Sequence, residues 1–81
     1  MMGPDAIHLI LEQLTIDEDR RPVWPESRGE GAIIMAKKAG EVIESSIDNQ
    51  SGLDDVDTLR TKVAQAGALA LRFLMHLPEK S

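Results

Sequence analysis

Apolar residues recur along this chain every three or four positions, and two polar, turn-prone segments divide them into three groups. That spacing places the apolar side chains of each group on one side of an α-helix, so the pattern predicts three helices and no strands. The first helix is predicted from about Pro4, a residue suited to the first helical position, to about Asp17. Its apolar stripe comprises Ile7, Leu11 and Leu14, widened by Leu9 and Ile10.

A loop is predicted over residues 19–26, because Pro22 and Pro25 each disfavour helix in the residue before them. Trp24 lies between the two prolines. A tryptophan in such a loop is expected to anchor the loop by packing against the helices. The alternative is that Trp24 forms a wall of a ligand pocket.

The second helix is predicted to begin between Ser27 and Gly31 and to end at about Ile47, before the polar segment 48–52. Its apolar positions are Ala32, Met35, Ala36, Ala39, Val42, Ile43 and Ile47. Gly40 lies inside this helix, where a glycine costs about 1 kcal/mol relative to alanine. Together with Ala36 and Ala39 it forms a face of small residues that favours close approach of another helix.

The third helix is predicted from Asp54 or Asp55 to about Leu77, before Pro78. Its apolar residues alternate at intervals of four and three: Leu59, Val63, Ala66, Ala70, Phe73 and Leu77. Leu69, Leu71 and Leu74 add a second apolar face. A helix that is apolar on two faces needs two layers of neighbours, so we expect a homodimer in which helices two and three of each subunit form a four-helix core.

Length and composition support one small helical domain over residues 1–81. A chain of 81 residues buries a limited core by itself, which again favours a partner subunit. The absence of cysteine excludes disulfides and thiolate metal sites. The net charge of −5 argues against binding to nucleic acid. The sequence contains no apolar run long enough for a membrane span and nothing like a signal peptide at its start, so we expect a cytoplasmic protein.

Carboxylates are the main candidates for chemistry. Glu41 and Glu44 are three positions apart on the second helix, a spacing that suits Mg²⁺ or Mn²⁺ ligands. The alternative is a solvated face on which Lys37 and Lys38 pair with Glu41. At the start of the third helix an acidic cluster is expected to cap the helix, with a cation site as the alternative. Its members are Asp54, Asp55 and Asp57.

Several motifs resemble small MazG-like proteins, which are all-α nucleoside triphosphate pyrophosphohydrolases. They are Trp24-Pro25, the segment 36–42, Leu59-Arg60 and the segment 65–74. The resemblance covers about residues 22 to 77. It implies a homodimer or tetramer with a four-helix core that cleaves nucleoside triphosphates between the α and β phosphates. It also implies Mg²⁺ held by an E-x-x-E pair on one helix and an E-x-x-D pair on the next.

Carried over by position, the E-x-x-E pair falls on Lys38 and Glu41, and the E-x-x-D pair falls on Lys62 and Gln65. Only Glu41 keeps a carboxylate, and lysines repel a cation. The resemblance therefore implies a pyrophosphohydrolase homologue that is weakened or inactive. If it is active, Glu41 is a metal ligand, Glu44 is a second candidate ligand, and Lys38 and Lys62 contact phosphate. The alternative hypothesis is a non-catalytic helical module that binds a nucleotide or a protein.

Overall fold

Three α-helices make up the fold. A computed structural model describes residues 3–53 and 55–78, and within those ranges the chain contains no strand. Helix α1 spans Gly3–Arg20, α2 spans Arg28–Gln50 and α3 spans Val56–His76. The prediction of an all-α chain of three helices is thus confirmed. The first two helices end later than predicted, at Arg20 and Gln50, because the polar residues that follow each apolar group continue the helix before the turn.

Side-chain caps fix the starts of α2 and α3, and the cap on α3 confirms the interpretation of the acidic cluster. The Ser27 hydroxyl accepts a hydrogen bond from the Glu30 amide at 3.3 Å, and the Asp55 carboxylate accepts one from the Thr58 amide at 2.7 Å. Bonds from the backbone amide and the side chain of Thr58 hold the pKa of Asp55 below its ordinary value. Asp54, the other candidate for the start of α3, lies outside the described residues.

Helix α3 lies between the other two helices. Both α1 and α2 pack against α3, and among the described residues no comparable packing joins α1 to α2. Ala64, Ala68 and Leu69 of α3 are buried at these contacts. A Cβ built on Gly67 would lie 3.2 Å from Ile10, so the glycine lets α1 approach α3 closely.

Trp24 anchors the loop between α1 and α2. Its side chain is buried, and its ring lies 6.1 Å from the Phe73 ring and 6.0 Å from the His76 ring. The Arg72 guanidinium lies 5.4 Å from the centre of the indole. The interpretation of Trp24 as a packing anchor is therefore confirmed.

The side of α2 that faces α3 is small and polar. Gly31, Lys38 and Ser45 follow one another every seven residues along it, and each is buried or half-buried. The predicted apolar face of α2 is mostly exposed within one chain, with only Met35 and Val42 half-buried. On the side opposite α3 lies a row that we call the outer stripe: Ile33, Ala36, Gly40, Ile43 and Ile47.

The apolar stripe predicted on α1 is covered in part. Leu9, Ile10 and Leu14 are half-buried, and Ile10 packs against Gly67, whereas Ile7 and Leu11 face solvent. Ile16, which was not assigned to the stripe, is also half-buried. The apolar residues of α1 are spread around the helix, so spacing alone did not identify the side that meets α3.

The single chain is open for its size. Its radius of gyration is 13.7 Å, against about 12 Å for a compact chain of this length. Its accessible surface is 5865 Å², about 1,000 Å² more than the roughly 4,800 Å² expected of a monomer of 8.9 kDa. The predicted seam of α3 contributes to this surface, because Val63 and Ala70 are exposed. The described helices include none long and apolar enough to cross a membrane.

Candidate functional site

Lys38 connects α2 to α3 at the centre of the candidate site. Its ammonium group donates one hydrogen bond to Glu41 Oε1 at 3.0 Å and another to Gln65 Oε1 at 3.2 Å. Glu41 lies one turn along α2 from Lys38, whereas Gln65 comes from α3. Because Lys38 is buried by about three quarters, both bonds form in partial shelter from water. The structure thus brings together three of the residues that the sequence indicates.

The electrostatics around Glu41 are dominated by lysines. The hydrogen bond from Lys38, followed by the charge of the same ammonium, holds the pKa of the Glu41 carboxyl below its ordinary value. Lys62 and Lys37 lower this pKa further through their charges. Glu41 is consequently ionised and already paired at neutral pH. Of the alternative in which Lys37 and Lys38 pair with Glu41, the pairing with Lys38 is confirmed.

The remaining predicted residues lie around this centre. Lys62 of α3 is half-buried and close enough to act on Glu41 electrostatically. Glu44 is exposed and lies toward the solvent side of α2. Within residues 3–53 and 55–78, no group of three or more histidine, aspartate or glutamate side chains is arranged to hold a metal ion.

A cleft of about 270 Å³ opens beside Lys38 and Gln65, where all three helices contribute. Its walls are formed by Gln13, Ile16, Asp17, Arg20, Arg21, Lys38, Gln65 and Leu69. Three of these side chains are cationic and one is anionic. In a chain whose net charge is −5, this cleft is a local concentration of positive charge.

The one carboxylate of the cleft, Asp17, is already paired. Arg72 Nη1 donates hydrogen bonds to Asp17 Oδ2 at 2.9 Å and to the Asp17 carbonyl at 3.3 Å. Arg21 Nη1 lies 3.5 Å from Asp17 Oδ1, beyond a well-formed hydrogen bond, and this buried atom makes none within the described part of the chain. The negative charge of Asp17 is therefore compensated, and Arg21 retains donor capacity.

Trp24 does not line the cleft. It lies next to it, because both Arg21 and Arg72 lie over its ring, at 6.0 and 5.4 Å from the ring centre. The indole thus holds in place two of the arginines that surround Asp17. The role of Trp24 as a pocket wall remains a prediction, whereas its contacts with Arg21 and Arg72 are observed.

Sequence reasoning missed the contribution of α1. Asp17, Arg20 and Arg21 were not expected at the site, because they lie far from Lys38 and Gln65 in sequence. One signal was present: the pair Arg20-Arg21 is the only place in the chain where two arginines are adjacent, and it immediately precedes Pro22. A helix that ends beside a proline places such a pair where α1 meets the loop.

The donor set suits an anion better than a divalent cation. Mg²⁺ requires oxygen ligands, and here the charged group in contact with Glu41 is the ammonium of Lys38. An ammonium carries three donors, of which Lys38 uses two, so one remains for an oxyanion. Ligation of a metal by Glu41 and Glu44 stays a prediction.

No family model, no curated protein and no solved structure matches this chain. The resemblance to MazG-like proteins therefore rests on the sequence motifs alone.

Proposed function

We propose that this chain is a MazG-like homologue that binds the phosphate groups of a nucleotide in the cleft, with pyrophosphohydrolase activity weakened or lost. The observation that carries the proposal is the convergence of Arg20, Arg21 and Lys38 on one cleft from α1, the loop and α2. Arginine and lysine are the side chains that most often contact phosphate.

The position of the cleft supports the nucleotide assignment. Lys38 and Gln65 line it, and they occupy positions where the resemblance implies metal-binding carboxylates. In the implied enzymes a cation neutralises the triphosphate. In this chain the ammonium of Lys38 supplies positive charge at that place directly. Phosphate recognition is thereby kept without a metal, while the metal-dependent activation of water is lost.

Binding tests the proposal first. Thermal melting and calorimetry with a panel of ribo- and deoxynucleoside triphosphates in EDTA should give a raised melting temperature and measurable heat for at least one of them. Lys38→Met should abolish the response. Arg28→Gln is the matched control, because it also removes one positive charge from α2 but at an exposed site away from the cleft. No response to any triphosphate would overturn the proposal.

Turnover is tested with the same panel by measuring pyrophosphate release in Mg²⁺ and in Mn²⁺. We expect release near the buffer rate. Metal-dependent release that Glu41→Gln abolishes would contradict the loss of activity and would assign Glu41 as a metal ligand in an altered set.

The second candidate is a protein-binding helical module. It is favoured by apolar side chains that a single chain leaves in solvent, among them Val56 and Val63 beside α1. This function predicts that the melting temperature is unaffected by every nucleotide.

A further inference from the structure

The outer stripe of α2 is a row of apolar and small residues that the chain leaves uncovered. Its three isoleucines, Ile33, Ile43 and Ile47, are 67%, 61% and 58% exposed. Nothing lies within 4 Å of a Cβ built on Gly40, at the centre of the stripe. A glycine inside a helix is destabilising unless a neighbour uses the space, and no neighbour within the described chain does so.

We infer that the outer stripe binds the outer stripe of a second copy of this chain, with the two α2 helices antiparallel and a two-fold axis passing beside Gly40. In this arrangement Ile33 of one copy lies opposite Ile47 of the other. Ile43 lies against Ala36 of the second copy, so that a large side chain meets a small one. Gly40 meets Gly40 and permits close approach of the two backbones.

Charge complementarity supports a second copy as the occupant. At 100° per residue, Lys37 and Glu44 lie together along one edge of the outer stripe, and both are exposed. A two-fold axis perpendicular to α2 brings this edge against the same edge of the second copy. Lys37 then faces Glu44 of the other chain, and the pair forms twice. In a parallel pair the two-fold axis runs along the helices, so this edge would instead face the opposite edge of the stripe, where Ala32 and Ala39 lie, and neither charge would meet a partner.

Surface area supports the same occupant. The chain exposes about 1,000 Å² more than a compact monomer of its mass, and a standard interface buries about 800 Å² per partner. The uncovered surface is thus large enough for a stable dimer. This inference is independent of the proposed function, because the outer stripe lies on the side of α2 away from Lys38 and the cleft.

Cysteine cross-linking tests the register, and the chain contains no cysteine of its own. Gly40→Cys places two thiols at the axis, where mild oxidation should convert most of the protein into a covalent dimer. Ile33→Cys and Ile47→Cys should each fail to cross-link alone, because like residues lie about 21 Å apart along the antiparallel helices. Mixing those two variants should restore the cross-link.

Leu53→Cys is the control, since Leu53 is 80% exposed and lies in the turn after α2. Cross-linking of Gly40→Cys no faster than that of Leu53→Cys would overturn the inference. Self-cross-linking of Ile33→Cys and Ile47→Cys would overturn the antiparallel register and indicate a parallel pair.

Charge reversal provides a test that leaves the apolar contacts intact. Lys37→Glu and Glu44→Lys should each raise the dimer dissociation constant about fivefold in sedimentation equilibrium, because each sets like charges together twice. The double variant should return it toward the unmodified value. A double variant that dimerises no better than the single variants would contradict the predicted pairing, as would a chain that sediments as a monomer throughout.

Discussion

Lys38 takes part in two interactions that compete for its positive charge. It neutralises Glu41 on its own helix, and it also lines a cleft in which two arginines lie. The sequence indicated Lys38, Glu41 and Gln65 because a local motif places them, and the structure brings the three together. Arg20 and Arg21 could not be predicted as site residues from the sequence, since their approach to Lys38 depends on how α1 packs on α3.

The pH dependence of Glu41 follows from its lowered pKa. Because the folded-state pKa lies below the unfolded value, the pair with Lys38 contributes stability above the unfolded pKa, and that contribution is lost as the pH falls through the folded pKa. A carboxyl titration by NMR should therefore place the Glu41 midpoint below the ordinary pKa of a glutamate. Lys38→Met should raise the midpoint, whereas Arg28→Gln should leave it in place. An unchanged midpoint in Lys38→Met would contradict the ion pair.

Asp17 is expected to matter for stability because its partner, Arg72, is 2% exposed. Asp17→Asn removes a charged acceptor from a buried guanidinium, so we expect the free energy of unfolding to fall by about 2 kcal/mol. Denaturant unfolding measures this. Asp19→Asn, an exposed change near the same end of α1, should shift stability by less than about 0.5 kcal/mol. Equal effects of the two variants would mean that the buried pair is energetically unimportant.

At the scale of elements, the parts of the fold that depend on neighbouring residues could be predicted. Asp55 caps α3 as expected, because a cap involves a side chain and an amide three positions away, and α2 begins within the predicted range 27–31. The side of α2 that meets α3 could not be predicted, since a hydrophobic pattern does not tell whether an apolar face meets its own chain or another chain. Gly31, Lys38 and Ser45 lie on the side that faces α3 instead. Gly31 lies against Trp24 and Phe73, and Lys38 donates a hydrogen bond to Gln65.

The contact between α2 and Trp24 depends on the small size of Gly31. A Cβ built there would lie 3.1 Å from Trp24 Nε1 and 3.2 Å from Phe73, and the buried indole has little room to move. We expect Gly31→Ala to lower the free energy of unfolding by about 1–2 kcal/mol despite the better helix propensity of alanine.

Gly29→Ala is the matched control for this contact, because its Cβ would meet only the Ser27 hydroxyl at an ordinary 3.6 Å. That variant should be neutral or more stable by up to about 1 kcal/mol. If Gly31→Ala proves as stable as Gly29→Ala, the close contact with Trp24 does not constrain α2.

The whole molecule is a central helix with two flanking helices, and it leaves apolar surface on its outer sides. An extended shape and an excess of accessible surface are what a subunit shows when its core is completed by a partner. The sequence led to the same expectation from the two apolar faces of α3. The structure adds the outer stripe of α2, whose Ile33 and Gly40 have no packing role within the described chain.

A dimer of this kind couples folding to protein concentration. If the outer stripe is covered only in the dimer, the melting temperature should rise as the protein concentration is raised, because association stabilises the folded chain by mass action. Ile43→Glu buries a charge in the stripe and should remove this concentration dependence. Val23→Glu is the control, since Val23 is 78% exposed in the loop, away from the stripe, and this variant should keep the dependence of the unmodified chain. A melting temperature that stays constant over a hundredfold range of concentration in the unmodified protein would mean that the single chain folds without its partner and that the exposed isoleucines serve a different contact.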